Sequence, residues 1–141
     1  MQDIKIKNMK EDYSCIPDYE TFSVSEAKAI VRALNSVYSL DNIAESEAAE
    51  EILKKSISVS VVNDDYSLKI LGENLGIDIG DSLFVSWNKF DEIDTIKTDE
   101  FEEYFFDLWY EGIDNIEIFD NTLEWILFIM HNGDIRLARG R

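Results

Sequence analysis

Apolar side chains recur at helical spacing in Val24, Ala27, Ile30, Val31, Leu34 and Val37, directly after Ser23 and Glu26, which together form a capping box. This pattern predicts a helix over about residues 24–38. Ile43 to Lys55 is rich in Ala and Glu, ends in two lysines suited to a helix C-terminus and offers Ile43, Ala48, Ile52 and Leu53 for burial, so a second helix is expected there. Ile57, Val59 and Val61 then alternate with small polar residues before Asn63-Asp64-Asp65, a strand followed by a turn. Residues 66–76 fit two templates. Tyr66, Leu68 and Ile70 alternate as in a strand, while Leu68, Leu71 and Leu75 before Gly76 suit a short helix; the expectation leans to a strand and then a turn.

The second half is richer in apolar runs. Leu83 to Trp87, between Gly80-Asp81 and Asn88, reads as a buried strand. Thr98 or Asp99 caps a helix expected to continue to Glu111 and stop at Gly112. Strands follow at Ile116–Phe119, Leu123–Met130 and Ile135–Ala138, the last two joined through Asn132-Gly133, a strong hairpin signal. The expected fold is α+β over one domain, residues 1–141: a mainly antiparallel sheet, two N-terminal helices and one helix inserted between strands.

Charge sharpens this picture. The chain carries 30 acidic against 13 basic residues, a formal net charge of −17. Thirteen of the acids lie within residues 91–124, where Lys97 is the single base, whereas the C-terminus ends in Arg136, Arg139 and Arg141. Such acidity repels phosphate and speeds association with cationic surfaces, so direct nucleic-acid binding is not expected. No run approaches the roughly 20 apolar residues of a membrane span, and the first residues lack the apolar core of a signal peptide. With one cysteine, Cys15, the sequence fits a reducing cytoplasm.

Candidate chemistry is thin. His131 is the only histidine and lies beside a turn, without a marked nucleophile or acid. Cys15 lacks the setting of a cysteine nucleophile. Gly72, Gly76 and Gly80 match neither a phosphate-binding loop nor a dinucleotide fingerprint. The carboxylates of Asp91, Glu92, Asp94, Asp99 and Glu100 lack the calcium-loop pattern, so neither metal nor cofactor is expected and the chain reads as a non-enzyme. On the expected helix 98–111, Glu100, Glu103, Asp107 and Glu111 share one stripe opposite Phe101, Phe105, Leu108 and Trp109. Tyr104 and Tyr110 flank the stripe, and Asp114 extends the acidic block past Gly112. Carboxylates bordered by tyrosines suit a basic protein surface: the rings supply buried area, and the charges supply steering.

Leu83-Phe84-Val85-Ser86-Trp87, the aromatic run Phe101 to Tyr110, Asp114-Asn115-Ile116 and the strand Glu124 to His131 with Gly133 together resemble a pattern in small bacterial immunity proteins. These accompany contact-dependent growth inhibition toxins and other polymorphic toxins. The likeness covers roughly the C-terminal 60 residues. It implies an antitoxin role: occlusion of a cognate toxin domain, often a cationic nuclease, in the cytoplasm. The alternative reading is a phage-type DNA mimic, which needs acids spread along an extended face rather than concentrated in 91–124.

Overall fold

The computed structural model describes residues 1–140. It is an α+β fold built on a seven-stranded, wholly antiparallel sheet with strand order β1-β4-β3-β5-β6-β7-β2. The strands are β1 (Tyr19–Thr21), β2 (Ile57–Val61), β3 (Ser82–Ser86), β4 (Ile93–Lys97), β5 (Ile116–Phe119), β6 (Trp125–Ile129) and β7 (Asp134–Arg139). The central strands β5 and β6 are buried at every position, because helices cover both faces of the sheet. Their unbroken apolar runs follow from that double burial.

One face carries α2 (Val24–Val37) and α3 (Ala48–Lys54) over a core that includes Leu34, Ile52, Phe119, Ile126 and Phe128. The Ser23–Glu26 capping box opens α2 as expected. The second predicted helix begins with a 3-10 turn, Glu45–Glu47, that leads into α3. The opposite face carries α1 (Asp3–Tyr13), α4 (Leu68–Leu75), α5 (Thr98–Glu103) and α6 (Phe105–Leu108) over Leu83, Val85, Trp87, Phe101, Trp109, Trp125 and Leu127. Gly133 sits at φ 88 in the β6–β7 turn, a left-handed position that glycine adopts without strain.

Four features differ from the sequence expectation. Residues 66–76, where the expectation leans to a strand and then a turn, instead hold the helix Leu68–Leu75. Ser67 caps it by accepting from Ile70 N, the Glu102 carboxylate accepts from Ser67 Oγ and Leu68 N, and Gly76 closes it at φ 69. The helix expected over 98–111 is two short helices that break at Tyr104 and end at Leu108. Its end has a local cause: Asp114 Oδ2 accepts from Tyr110 N at 2.7 Å, and the preceding Trp109 is extended, donating Nε1–H to Asp114 O at 3.0 Å. A side chain that captures a backbone N–H offers the chain an alternative to helix. The edge strand β1 and β4 were not foreseen, the latter because the fully buried Asp94 interrupts its apolar pattern. Nor was α1, whose only buried residues are Lys5 and Met9.

No described helix is long and apolar enough to cross a membrane.

Candidate partner-binding site

The acidic segment from α5 to Asp114 lies on the same face of the sheet as α1, which meets it at Tyr104, Asp107, Tyr110 and Asp114. Tyr13 donates its hydroxyl to Asp107 Oδ2 at 2.9 Å, and its ring meets Tyr104 edge-on at 5.5 Å. Cys15 Sγ lies 3.4 Å from the Tyr104 hydroxyl. Asn8 Nδ2 donates to the Tyr110 hydroxyl at 3.1 Å. Lys5, 0% exposed, pairs with Asp114 at 2.9 Å, and its ammonium stands 4.9 Å from the Trp87 ring and 5.2 Å from that of Tyr110. Burial lowers the Lys5 pKa, and the hydrogen bond and charge of Asp114 oppose that shift. Beside this group, Asp94 accepts from Trp87 Nε1 at 2.8 Å and Thr21 Oγ1 at 2.6 Å, with the Met1 ammonium also 2.6 Å away.

The seven acidic and tyrosine positions singled out in the sequence therefore separate into two sets. Tyr104, Asp107, Tyr110 and Asp114 are engaged within the chain. Glu103 and Glu111 are exposed and hold no ion pair among the described residues, while Glu100 is half-buried with one carboxylate oxygen, Oε2, lacking a hydrogen-bond partner. Because the helix ends at Leu108, Glu111 does not continue a helical stripe. The same segment presents two large apolar side chains to which the helical wheel assigns no role: Phe106 is 54% exposed and Ile113 is 74% exposed. Lys5, Asn8 and Tyr13 had no sequence signal beyond Met1, Lys5 and Met9 falling on one helical face.

A second polar cluster lies on the other face of the sheet. Ser86 Oγ donates to Glu117 Oε1 at 3.0 Å and accepts from Phe90 N at 2.7 Å. Lys89 and Phe90 both hold left-handed backbone, at φ 51 and 69, and Lys89 reaches across to Glu50 on α3 at 2.6 Å. A cavity of about 70 Å³ between α3 and the sheet is lined in part by Glu50, Lys89, Asn115 and Glu117. Burial pushes the Glu117 carboxyl up to about 8, against the opposing pull of Ser86, the Phe90 and Lys89 backbone and the Lys89 charge. The folded state thus holds a proton that the unfolded chain has released between pH 4.5 and about 8. Its contribution is fully present below that window and declines as pH rises through it, by at most about 1.4 kcal/mol per pH unit. We expect Glu117→Gln to flatten this part of the stability profile and to raise the denaturant midpoint at pH 8 more than at pH 5. Equal shifts at both pH values would contradict a neutral Glu117.

The remaining candidates for chemistry have local partners. His131 is exposed, and its Nδ1 lies 3.0 Å from Asn115 Oδ1, which also accepts from His131 N at 2.7 Å. Asp99 pairs with Lys69. Among the described residues no group of three His, Cys, Asp or Glu side chains is arranged to hold a metal ion. Compared with known proteins, the chain matches no family model, no curated protein and no solved structure.

Proposed function

We propose that this protein binds and neutralises a cognate bacterial toxin domain by occlusion, in the cytoplasm of the cell that makes it, and that the toxin surface it meets is basic, as in a cationic nuclease. The observation that carries this reading is the segment 103–113. It exposes Phe106 and Ile113 beside Glu103 and Glu111, in a stretch with no lysine or arginine between residues 98 and 124. Apolar anchors exclude water at the centre of an interface, and rim carboxylates speed and orient the approach of a cationic partner. The reading takes the protein as a binder rather than an enzyme, since among the described residues Cys15 has the Tyr104 hydroxyl and His131 the Asn115 amide as side-chain hydrogen-bond partner, with no carboxylate or imidazole set against either.

A DNA mimic is less well supported. Asp94, Asp114 and Glu117 are turned into the fold, and Asp107 is bonded to Tyr13, so the densest acidic block of the sequence does not emerge as a row of free carboxylates.

Co-expression with the variable C-terminal domain of a secreted protein encoded immediately upstream tests the proposal. Restored growth together with a stable complex of the two proteins is the expected result. Continued growth arrest, with no complex formed, would overturn it.

A further inference from the structure

We infer that Trp87, Tyr110 and Asp114 form a cage for a lysine ammonium, filled in the free protein by Lys5 of α1, and that a lysine-bearing helical segment of the basic partner takes the place of α1. This inference rests on the reading of the protein as a binder of a basic partner, and it names the chemistry recognised.

The cage has what an ammonium requires. The body supplies a carboxylate at 2.9 Å and two aromatic faces at 4.9 and 5.2 Å, Gln2 at the N-cap of α1 adds its Oε1 as a further acceptor, and water is shut out, so the cation–π attraction acts on a desolvated charge. The occupant is held mainly by polar contacts. α1 adds only Met9, the partly buried Ile6 and the adjoining Met1 to the apolar core, while Lys5, Asn8 and Tyr13, together with the Met1 ammonium on Glu92 and Asp94, meet the body through charged and polar groups that water or another protein can satisfy. An element held by few apolar contacts opens at lower free energy than the central sheet. The buried Lys5–Asp114 pair adds little to hold it, because desolvation offsets much of the attraction.

Tethering favours α1 over a separate lysine, since a short flexible connection gives an effective concentration in roughly the millimolar range. A partner must therefore bring more than one ammonium. The exposed Phe106, Ile113, Glu103 and Glu111 lie in the same segment as Tyr110 and supply the additional contact. Four of the sequence-selected positions, Tyr104, Asp107, Tyr110 and Asp114, become available to the partner when α1 leaves.

Two measurements on the full chain test this. In hydrogen exchange, the α1 amides should exchange through local opening, well ahead of those in β5 and β6. Exchange of α1 only at the global unfolding rate would overturn the inference. In the second, the probe is a synthetic peptide of residues 1–14, compared with the same peptide carrying norleucine in place of Lys5, and binding is read by NMR titration. Lys5→Met, which keeps the apolar stem and empties the cage, should bind the lysine peptide about tenfold more tightly than the wild-type chain does and about tenfold more tightly than it binds the norleucine peptide. Equal binding of the two peptides, or none, would overturn the inference. Should Lys5→Met fail to fold, the exchange measurement on the unaltered protein decides alone. Neither measurement involves a toxin, so a cage that opens and takes lysine while no toxin is bound counts only against the proposed function. Toxin neutralisation by a protein whose α1 never opens counts only against the cage.

Discussion

Trp125→Ala is expected to destabilise the protein by about 3–5 kcal/mol, the range for truncating a large aromatic in a packed core. Trp125 is 4% exposed and starts β6, the strand between β5 and β7, with its side chain in the core beneath the α1 face. Removing the indole leaves a void that flanking strands cannot close, because they are fixed by the ladders Trp125–Arg139 to Ile129–Ile135 and Ile116–Ile129 to Phe119–Ile126. Such a loss is a large part of a typical stability of about 5–15 kcal/mol. The check is the urea midpoint, followed by far-UV circular dichroism. An unchanged midpoint would show that the indole is not part of the core.

Asp114→Ala should be nearly as damaging, by about 3–5 kcal/mol, for an electrostatic reason. Asp114 accepts from Lys5 Nζ at 2.9 Å and from Tyr110 N at 2.7 Å, so the substitution leaves a buried ammonium without its carboxylate and a backbone donor without its acceptor. Removing the cation as well should recover part of the loss: Lys5→Met/Asp114→Ala is expected to be more stable than Asp114→Ala alone. Chemical denaturation of the four proteins of this cycle gives the coupling. If the two substitutions add without coupling, Lys5 and Asp114 do not act as a buried ion pair.

The parts of the fold that could be read in the sequence are those whose stability is apolar and local. The α2 helix announces itself through the Ser23–Glu26 box and the spacing from Ala27 to Leu34, and the β6–β7 hairpin through two apolar runs around Asn132-Gly133. Periodicity fails where tertiary polar contacts decide. The segment 66–76 alternates like a strand as far as Ile70, yet the Ser67 cap and the distant Glu102 carboxylate settle it as α4. Helical spacing carries the acidic helix through Glu111, because nothing nearby in the sequence shows that Asp114 claims Tyr110 N. The site was legible to the same degree. The location of the excess charge in 91–124 could be read from the sequence, and it drew attention to the carboxylates and tyrosines from Glu100 to Asp114. That α1, a mostly polar helix, would lie across Asp107, Tyr110 and Asp114 could not, since it meets them through long-range hydrogen bonds and one ion pair rather than through a hydrophobic stripe.

The central claim is that segment 103–113 docks a basic partner. Its most direct test compares the binding of the proposed toxin domain to two quadruple variants across a range of salt concentrations. One, Glu103→Gln/Phe106→Ala/Glu111→Gln/Ile113→Ala, removes the exposed anchors and rim charges of the segment. The other, Glu73→Gln/Glu124→Gln/Val24→Ala/Ile70→Ala, removes as many exposed acids and apolar side chains elsewhere on the surface. The account predicts that the first variant loses about a hundredfold in affinity, associates more slowly and shows a flatter salt dependence, while the second stays within about twofold of the unaltered protein. Equal affinities and equal salt slopes for the two variants would contradict it.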